Sequence, residues 1–311
     1  MRGLSLKDIV KVLLLVDRGY RIMRNFPAIR IIHVQHAGTG ALAATFLKNC
    51  FPVRIVVTVH GAEFTDTALA ARWQRVHARV LAAADRIISV SKYTAGYVEQ
   101  DFPAMRAKLA VIPNGVDLEA FAPKGNVTRH REILFVGDIH PRKGLDTLIE
   151  AFRILNSTDW QLHIVGTPGM ALPEINRLIA EYDLTERVRI SLNLKHKELL
   201  NAYQRAAIFV FPTRSNTEGF GLVALEAMAS GLPVVASRIA AIPEVVEDGV
   251  TGLLFSPGDA TDLAQTLTRL ISDQALGTAL ICRGLSRIKE RFNWPAVAES
   301  TIAVYRELSL S

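Results

Sequence analysis

The chain has 311 residues, half of them hydrophobic and 21% charged, which is the composition of a folded chain long enough for two domains and excludes a disordered one. Its two cysteines, Cys50 and Cys282, exclude a disulfide framework, and no CxxC or Cys/His cluster marks a zinc site. The net charge of +6 is uneven: residues 1–112 hold 16 Lys and Arg against 7 Asp and Glu, and residues 113–311 hold 20 against 23.

Leu6 to Arg24 reads as a basic amphipathic helix, with Lys7, Lys11, Arg18, Arg21 and Arg24 among Ile9, Val10, Leu13, Leu14 and Tyr20. The apolar run at residues 12–16 is bracketed by Lys11 and Asp17 and is too short for a signal peptide. No stretch reaches the roughly 18 consecutive apolar residues of a membrane span. A basic first part is either a solvated face or a surface for an anionic substrate or an acidic membrane. Its basic residues are not interleaved with aromatics, which argues against nucleic acid.

Short β-branched runs then alternate with helical patterns. Strands are predicted at residues 29–34, 54–59, 86–90, 109–112, 133–136, 161–165, 187–190, 208–211, 233–236 and 252–255. Helical periodicity covers residues 145–155, 173–182, 222–229 and 260–272. Alternation of this kind predicts the α/β class, with two Rossmann-like doubly wound domains of parallel sheet. Solid apolar runs such as IVV, LFV and FVF fit strands covered on both faces. The turn cluster PNGVD and the polar stretch after it place a break there. The expected organisation is a first domain over 1–113, a linker over 114–130, a second domain over 131–292 and a C-terminal helix over 293–311 that packs back toward the first. Two such sheets facing each other put a ligand in the cleft between them.

Two strand-to-helix junctions carry the chemistry. One is VGDIHPRKG at residues 136–144, where Arg142 and Lys143 sit just before a helix start, a poor place for cations unless an anion is near. The other is EGFGLVALE at residues 218–226. There Gly219 and Gly221 flank Phe220, so backbone N–H groups can approach a ligand closely, and the helix from Leu222 offers unpaired donors that favour a phosphate. Glu218 precedes that anion site and Glu226 lies inside the helix beyond it. Carboxylates bind hydroxyls well, so the pattern matches a pyrophosphate with a hydroxyl-rich ring at each end. The bland alternative is an acidic residue favoured by the helix dipole plus a solvated glutamate, but the apolar helix around Glu226 would bury it.

With these motifs the chain resembles the glycosyltransferase family 4 group of retaining enzymes with the GT-B fold. The matching pieces run in order from residue 29 to the C-terminus: HVQH at 33–36, TVHG at 58–61, ADRIISVS at 84–91, VIPNGVD at 111–117, VGDIHPRKG, EGFGLVALEAMASGLPVVAS, AIPE at 241–244 and DGVTGLL at 248–254. The resemblance implies transfer of a sugar from a UDP-, GDP- or ADP-sugar to a glycan or lipid-linked acceptor, with configuration retained, no metal and no cofactor. It implies that Glu218 contacts the transferred sugar and that Glu226 holds the ribose. Lys143 neutralises the pyrophosphate, with Arg142 and the backbone of Gly219, Phe220, Gly221 and Leu222 beside it. His60 sits under the donor sugar as a catalytic group, and His36 and Glu63 face the acceptor. A cytoplasmic location follows, with peripheral contact to an anionic inner membrane face through the basic first domain.

The chain departs from the family at three places. Asp138 stands where an arginine is common, and an acid there repels pyrophosphate unless it points away. A strand-end glycine near the base is missing from Ser191-Leu192-Asn193. Residues 1–28 supply no opening strand and glycine-rich loop, so the first domain is expected to be incomplete, through N-terminal truncation or as a short variant. Two rivals follow: a nucleotide-sugar-binding protein with little or no turnover, and another enzyme of the same architecture, such as an epimerase or a phosphorylase. A phosphorylase calls for a pyridoxal lysine with no distinctive candidate here, and residues 38–42 do not supply the GxGxxG of an NAD protein.

Overall fold

The computed structural model describes residues 4–65, 67–123 and 128–310. It divides into two compact units, one formed by Met1–Pro113 with Val297–Ser311, the other by Asn114–Ala296.

The first unit contains α1 (Leu6–Asn25), β1 (Ile31–Val34), α2 (Thr39–Lys48), β2 (Arg54–Val59), α3 (Ala62–Thr65), α4 (Thr67–Ala83), β3 (Arg86–Ser89), α5 (Lys92–Asp101) and β4 (Leu109–Val111). A capping box opens α1: the Ser5 hydroxyl accepts from the Asp8 N–H, and the Asp8 carboxylate accepts from the Ser5 N–H. The helix buries Val12 and Met23 and presses on α2 at Gly19, where an added Cβ would stand 2.4 Å from a Leu47 methyl. The four strands are parallel and lie in sequence order, β1-β2-β3-β4. Ile55, Val56, Val57 and Val59 are buried because helices cover both faces of β2.

The second unit contains α6 (Leu118–Phe121), β5 (Glu132–Val136), α7 (Leu145–Leu155), β6 (Gln161–Gly166), α8 (Leu172–Glu181), β7 (Val188–Leu192), α9 (His196–Arg205), β8 (Ile208–Phe211), α10 (Leu222–Ala229), β9 (Val234–Ser237), α11 (Ile242–Val245), β10 (Leu253–Phe255), α12 (Ala260–Ser272) and α13 (Gln274–Arg291). Its strands are also all parallel, in the order β10-β9-β8-β5-β6-β7. The chain therefore winds outward from β5 through β6 and β7, then returns to β8 on the other side. The reversal between β5 and β8 is the position where open parallel sheets bind ligands, at the carboxyl ends of the strands. Phe135 and Phe152 lie in the core beside this reversal, each with at most 1% of its surface exposed.

The α/β class with two Rossmann-like units is thus present, and all ten strands fall within two residues of their expected bounds. The linker expected over 114–130 is different. Residues 124–127 lie outside the described residues, but residues 114–121 fold onto the second unit. Asp117 caps α6 by accepting from the Glu119 and Ala120 N–H groups, and Phe121 is buried against Tyr203. A polar turn motif is read as linker from sequence because its buried anchors, Val116 and Phe121, have no local period to reveal them. The last helix, α14 (Trp294–Leu310), belongs to the first unit from Val297 onward. There Tyr305 hydrogen-bonds His33 and Glu307 pairs with Arg86.

Candidate functional site

The two chemical junctions of the second unit meet at the strand reversal. The chain leaves β5 at Gly137, makes a tight turn over Pro141–Lys143 and enters α7 at Gly144. Gly144 has φ 68°, and a Cβ there would lie 2.0 Å from the carbonyl oxygen of Pro212. Only glycine lets this loop touch the one that follows β8. The contact is secured by the Arg142 carbonyl, which accepts from the Arg214 N–H at 2.9 Å and the Thr213 hydroxyl at 3.2 Å.

Lys143 is buried, and its Nζ lies 2.7 Å from Glu218 Oε2 and 5.3 Å from the centre of the Phe211 ring. The Arg142 guanidinium stands 3.8 Å from the same carboxylate oxygen. Asp138 is held by Arg142 at 3.3 Å and by the Thr167 hydroxyl at 2.8 Å, so its charge is paired within the loop. Both α7 and α10 begin on glycine in the left-handed region, Gly144 and Gly221, and neither has a side-chain cap. Two uncapped helix starts with a lysine and an arginine between them form a cradle for an anion. Gly219 and Gly221 are buried, and Leu222 is exposed at the helix start. The Phe220 ring turns inward against Phe292, which leaves only its backbone for a ligand.

Glu226 is half-buried on α10, and its Oε2 accepts from the Tyr203 hydroxyl at 2.7 Å. Burial pushes the Glu226 carboxyl up, against the Tyr203 hydrogen bond and the charge of His196, which pull it down. Asn193 adopts φ 54° after β7 and donates its N–H to the Gly166 carbonyl. Asparagine is one of the few residues other than glycine that tolerate this left-handed turn.

In the first unit, His36, His60 and Glu63 come together at the carboxyl ends of β1 and β2. The His60 N–H donates to Glu63 Oε1 at 2.9 Å, His36 Nδ1 lies 3.8 Å from that oxygen, and the two imidazoles are 4.8 Å apart. The Glu63 carboxylate beside it raises the His36 pKa. Burial, and then the neighbouring His36, lower that of His60. Burial works to raise the Glu63 carboxyl, but the neighbouring His36 imidazole and the backbone N–H groups of His60 and Glu63 outweigh it and hold it low. At neutral pH this favours a carboxylate beside a His36 that takes up a proton before His60 does. His36 and Glu63 line a cavity of about 490 Å³ with Lys11, Gln35, Trp73 and His77. His33 is committed to hydrogen bonds with Tyr305 and Thr58.

The residues absent from the sequence reading are Tyr203 and Thr167. A single tyrosine on the inner face of an amphipathic helix looks like any aromatic core residue, and nothing local tells that its hydroxyl meets a glutamate one strand away.

The chain matches the Glycosyl transferases group 1 family over residues 117–286 and Glycosyltransferase Family 4 over residues 2–120. It is 34% identical over 290 residues to the MMP alpha-(1->4)-mannosyltransferase of Mycolicibacterium hassiacum, covering 88% of this chain and 69% of that protein. Among solved structures it resembles the sucrose-phosphate synthase of Thermosynechococcus elongatus, with TM-score 0.82 and 27% identity over 95% of this chain and 77% of the other. It also resembles Anabaena HepE, solved in complex with UDP, with TM-score 0.82 and 19% identity over 94% and 82% of the two chains, a likeness of fold.

Proposed function

Because the chain belongs to the group 1 glycosyltransferases of family 4 and is therefore a glycosyltransferase, we propose that it transfers sugar from a UDP-, GDP- or ADP-sugar to a glycan or lipid-linked acceptor, with retention of configuration and without a metal. The observation that carries the donor class is the cradle at the strand reversal: two uncapped, glycine-started helices with Arg142 and Lys143 beside them. On this reading the pyrophosphate takes the place at Lys143 that Glu218 holds in the donor-free protein. Lys143 then offsets the negative charge that grows on the phosphate oxygens of the leaving nucleoside diphosphate, so no metal is needed for that task. Glu218, released toward the sugar, accepts from its hydroxyls, and Glu226 accepts from the ribose. His60 serves the transferred sugar, and His36 and Glu63 serve the acceptor.

The test separates the two glutamates. Glu226→Ala is expected to weaken binding of UDP, GDP or ADP, whichever binds tightest, by roughly tenfold or more in calorimetry. Glu218→Ala should leave that affinity within about threefold and slow transfer by about a hundredfold. The opposite pattern would invert the roles. A folded chain that binds none of the three nucleotides would sink the proposal.

The proposal includes contact with an anionic membrane through the first unit. No helix among the described residues is long and apolar enough to cross a membrane. On α1, however, Leu6, Val10, Leu13 and Leu14 are exposed, Leu6 at 77% and Leu13 at 62%. Lys7, Arg18 and Arg21 are exposed on the same helix. An apolar row flanked by cations is the pattern of an interfacial helix. The chain is expected to float with vesicles of phosphatidylcholine and phosphatidylglycerol but not of phosphatidylcholine alone. Leu13→Glu with Leu14→Glu should abolish flotation. Equal flotation of parent and variant, or none at low salt, would remove membrane contact from the reading.

A further inference from the structure

Tyr203 is among the largest side chains in the chain with no exposed surface. A phenol hydroxyl taken out of water must find a partner, and here it finds one acceptor, Glu226 Oε2 at 2.7 Å. The ring itself is wedged, edge-on to Phe121 at 5.6 Å and tilted against Phe209 at 5.8 Å. Burial, together with the adjacent Glu226, pushes the Tyr203 pKa well up, so the phenol remains the donor and the carboxylate the acceptor. The bond runs from α9, which precedes β8, to α10, which follows it.

A glutamate side chain has three rotors, and left to itself its carboxylate samples several orientations. A carboxylate that receives a vicinal diol must instead be presented in one. Its two oxygens offer about four acceptor sites, and a single hydroxyl from the core occupies one of them and leaves the rest. We propose that Tyr203 is a positioning residue of the donor site, whose hydroxyl holds the Glu226 carboxylate in the orientation that receives the ribose hydroxyls of the nucleotide. The inference rests on Glu226 being the ribose-holding group.

The other groups around this carboxylate are accounted for. His196, on α9, acts on it through its charge and favours the ionised form. From α6, Phe121 presents its ring to both His196 and Tyr203. From α13, Gly284 packs on Met228. Of these only Tyr203 donates a hydrogen bond, so its removal frees the carboxylate to rotate and also raises its proton affinity. Affinity for a ribonucleotide then falls as pH drops through the Glu226 pKa. Without the phenol this fall moves to higher pH. His196 is present with and without the phenol, so its charge is common to both proteins.

The experiment measures, by calorimetry on the full chain between pH 5 and 8, binding of UDP, GDP and ADP and of their 2′,3′-dideoxy counterparts. The parent chain should prefer the ribonucleotide, and Glu226→Gln should erase that preference. Tyr203→Phe keeps the ring volume, and it should reduce the preference roughly tenfold and move the acid fall-off upward. On the Glu226→Gln background, Tyr203→Phe should change nothing further. The ribo-to-dideoxy ratio compares two ligands on the same folded protein, so a loss of stability alone does not move it. If Tyr203→Phe keeps both the preference and the pH profile of the parent, the positioning role is overturned while the ribose role of Glu226 stands. If Glu226→Gln keeps the preference, the ribose assignment itself fails, and the inference with it.

Discussion

Lys143→Met is expected to slow sugar transfer by about a hundred- to a thousandfold, the range seen when one preorganised charge-stabilising group is removed from a reaction centre. It is also expected to lower stability by about 3 kcal/mol. Both effects come from the same geometry. The Lys143 side chain is 11% exposed and the Glu218 side chain 14%, so their ion pair at 2.7 Å is shielded from solvent. Removal of the ammonium leaves a mostly buried carboxylate whose nearest remaining cation is Arg142 at 3.8 Å. The same ammonium is the proposed partner of the departing pyrophosphate. Lys143→Arg keeps the charge but must fit a planar fork over the Phe211 ring, so partial recovery is expected. Steady-state kinetics with the preferred nucleotide sugar, alongside thermal unfolding, check both effects. Transfer within threefold of the parent would take Lys143 out of the chemistry.

Gly144→Ala is expected to be the most damaging single methyl in the second unit. A left-handed conformation costs a non-glycine residue about 1–3 kcal/mol, and the added Cβ would overlap the Pro212 carbonyl oxygen at 2.0 Å. That oxygen is backbone and cannot swing away, so the two loops must part. As they part, the Arg142 carbonyl loses Arg214 and Thr213, and the cradle opens. The melting temperature should fall by roughly 2–4 °C per kcal/mol, and nucleoside diphosphate binding should weaken with it. Gly96→Ala, in α5, meets nothing within 4 Å and serves as the contrast, neutral or stabilising by up to about 1 kcal/mol. If Gly144→Ala melts with the parent and still binds nucleotide, the loop contact does not support the site.

Local chemistry explains why so much of this was legible. The motif at residues 218–226 places two glycines at a helix start and two glutamates around it, and each feature acts through its neighbours in sequence. The same is true of the paired cations Arg142 and Lys143. Asp138 was not legible: as an acid beside a phosphate site it reads as a contradiction, until Thr167, 29 residues away on the next strand's loop, is seen to share it with Arg142. Asn193 lies where the sequence reads as lacking a glycine, and only its backbone angle reveals that it takes up a left-handed turn.

By itself, then, the sequence determined the alternation of strand and helix, the parallel sheets and the glycines, paired cations and glutamates at the two helix starts, because periodicity and helix-start chemistry are short-range. The tertiary structure alone decided the strand order β10-β9-β8-β5-β6-β7, which brings the Lys143 and Glu218 loops from 75 residues apart to a 2.7 Å contact. It alone decided the approach of His36 to His60 and Glu63 and the tie from Tyr203 to Glu226. Those depend on which strand lies beside which, and on burial that forces each polar group to find a partner. No window of sequence contains that information.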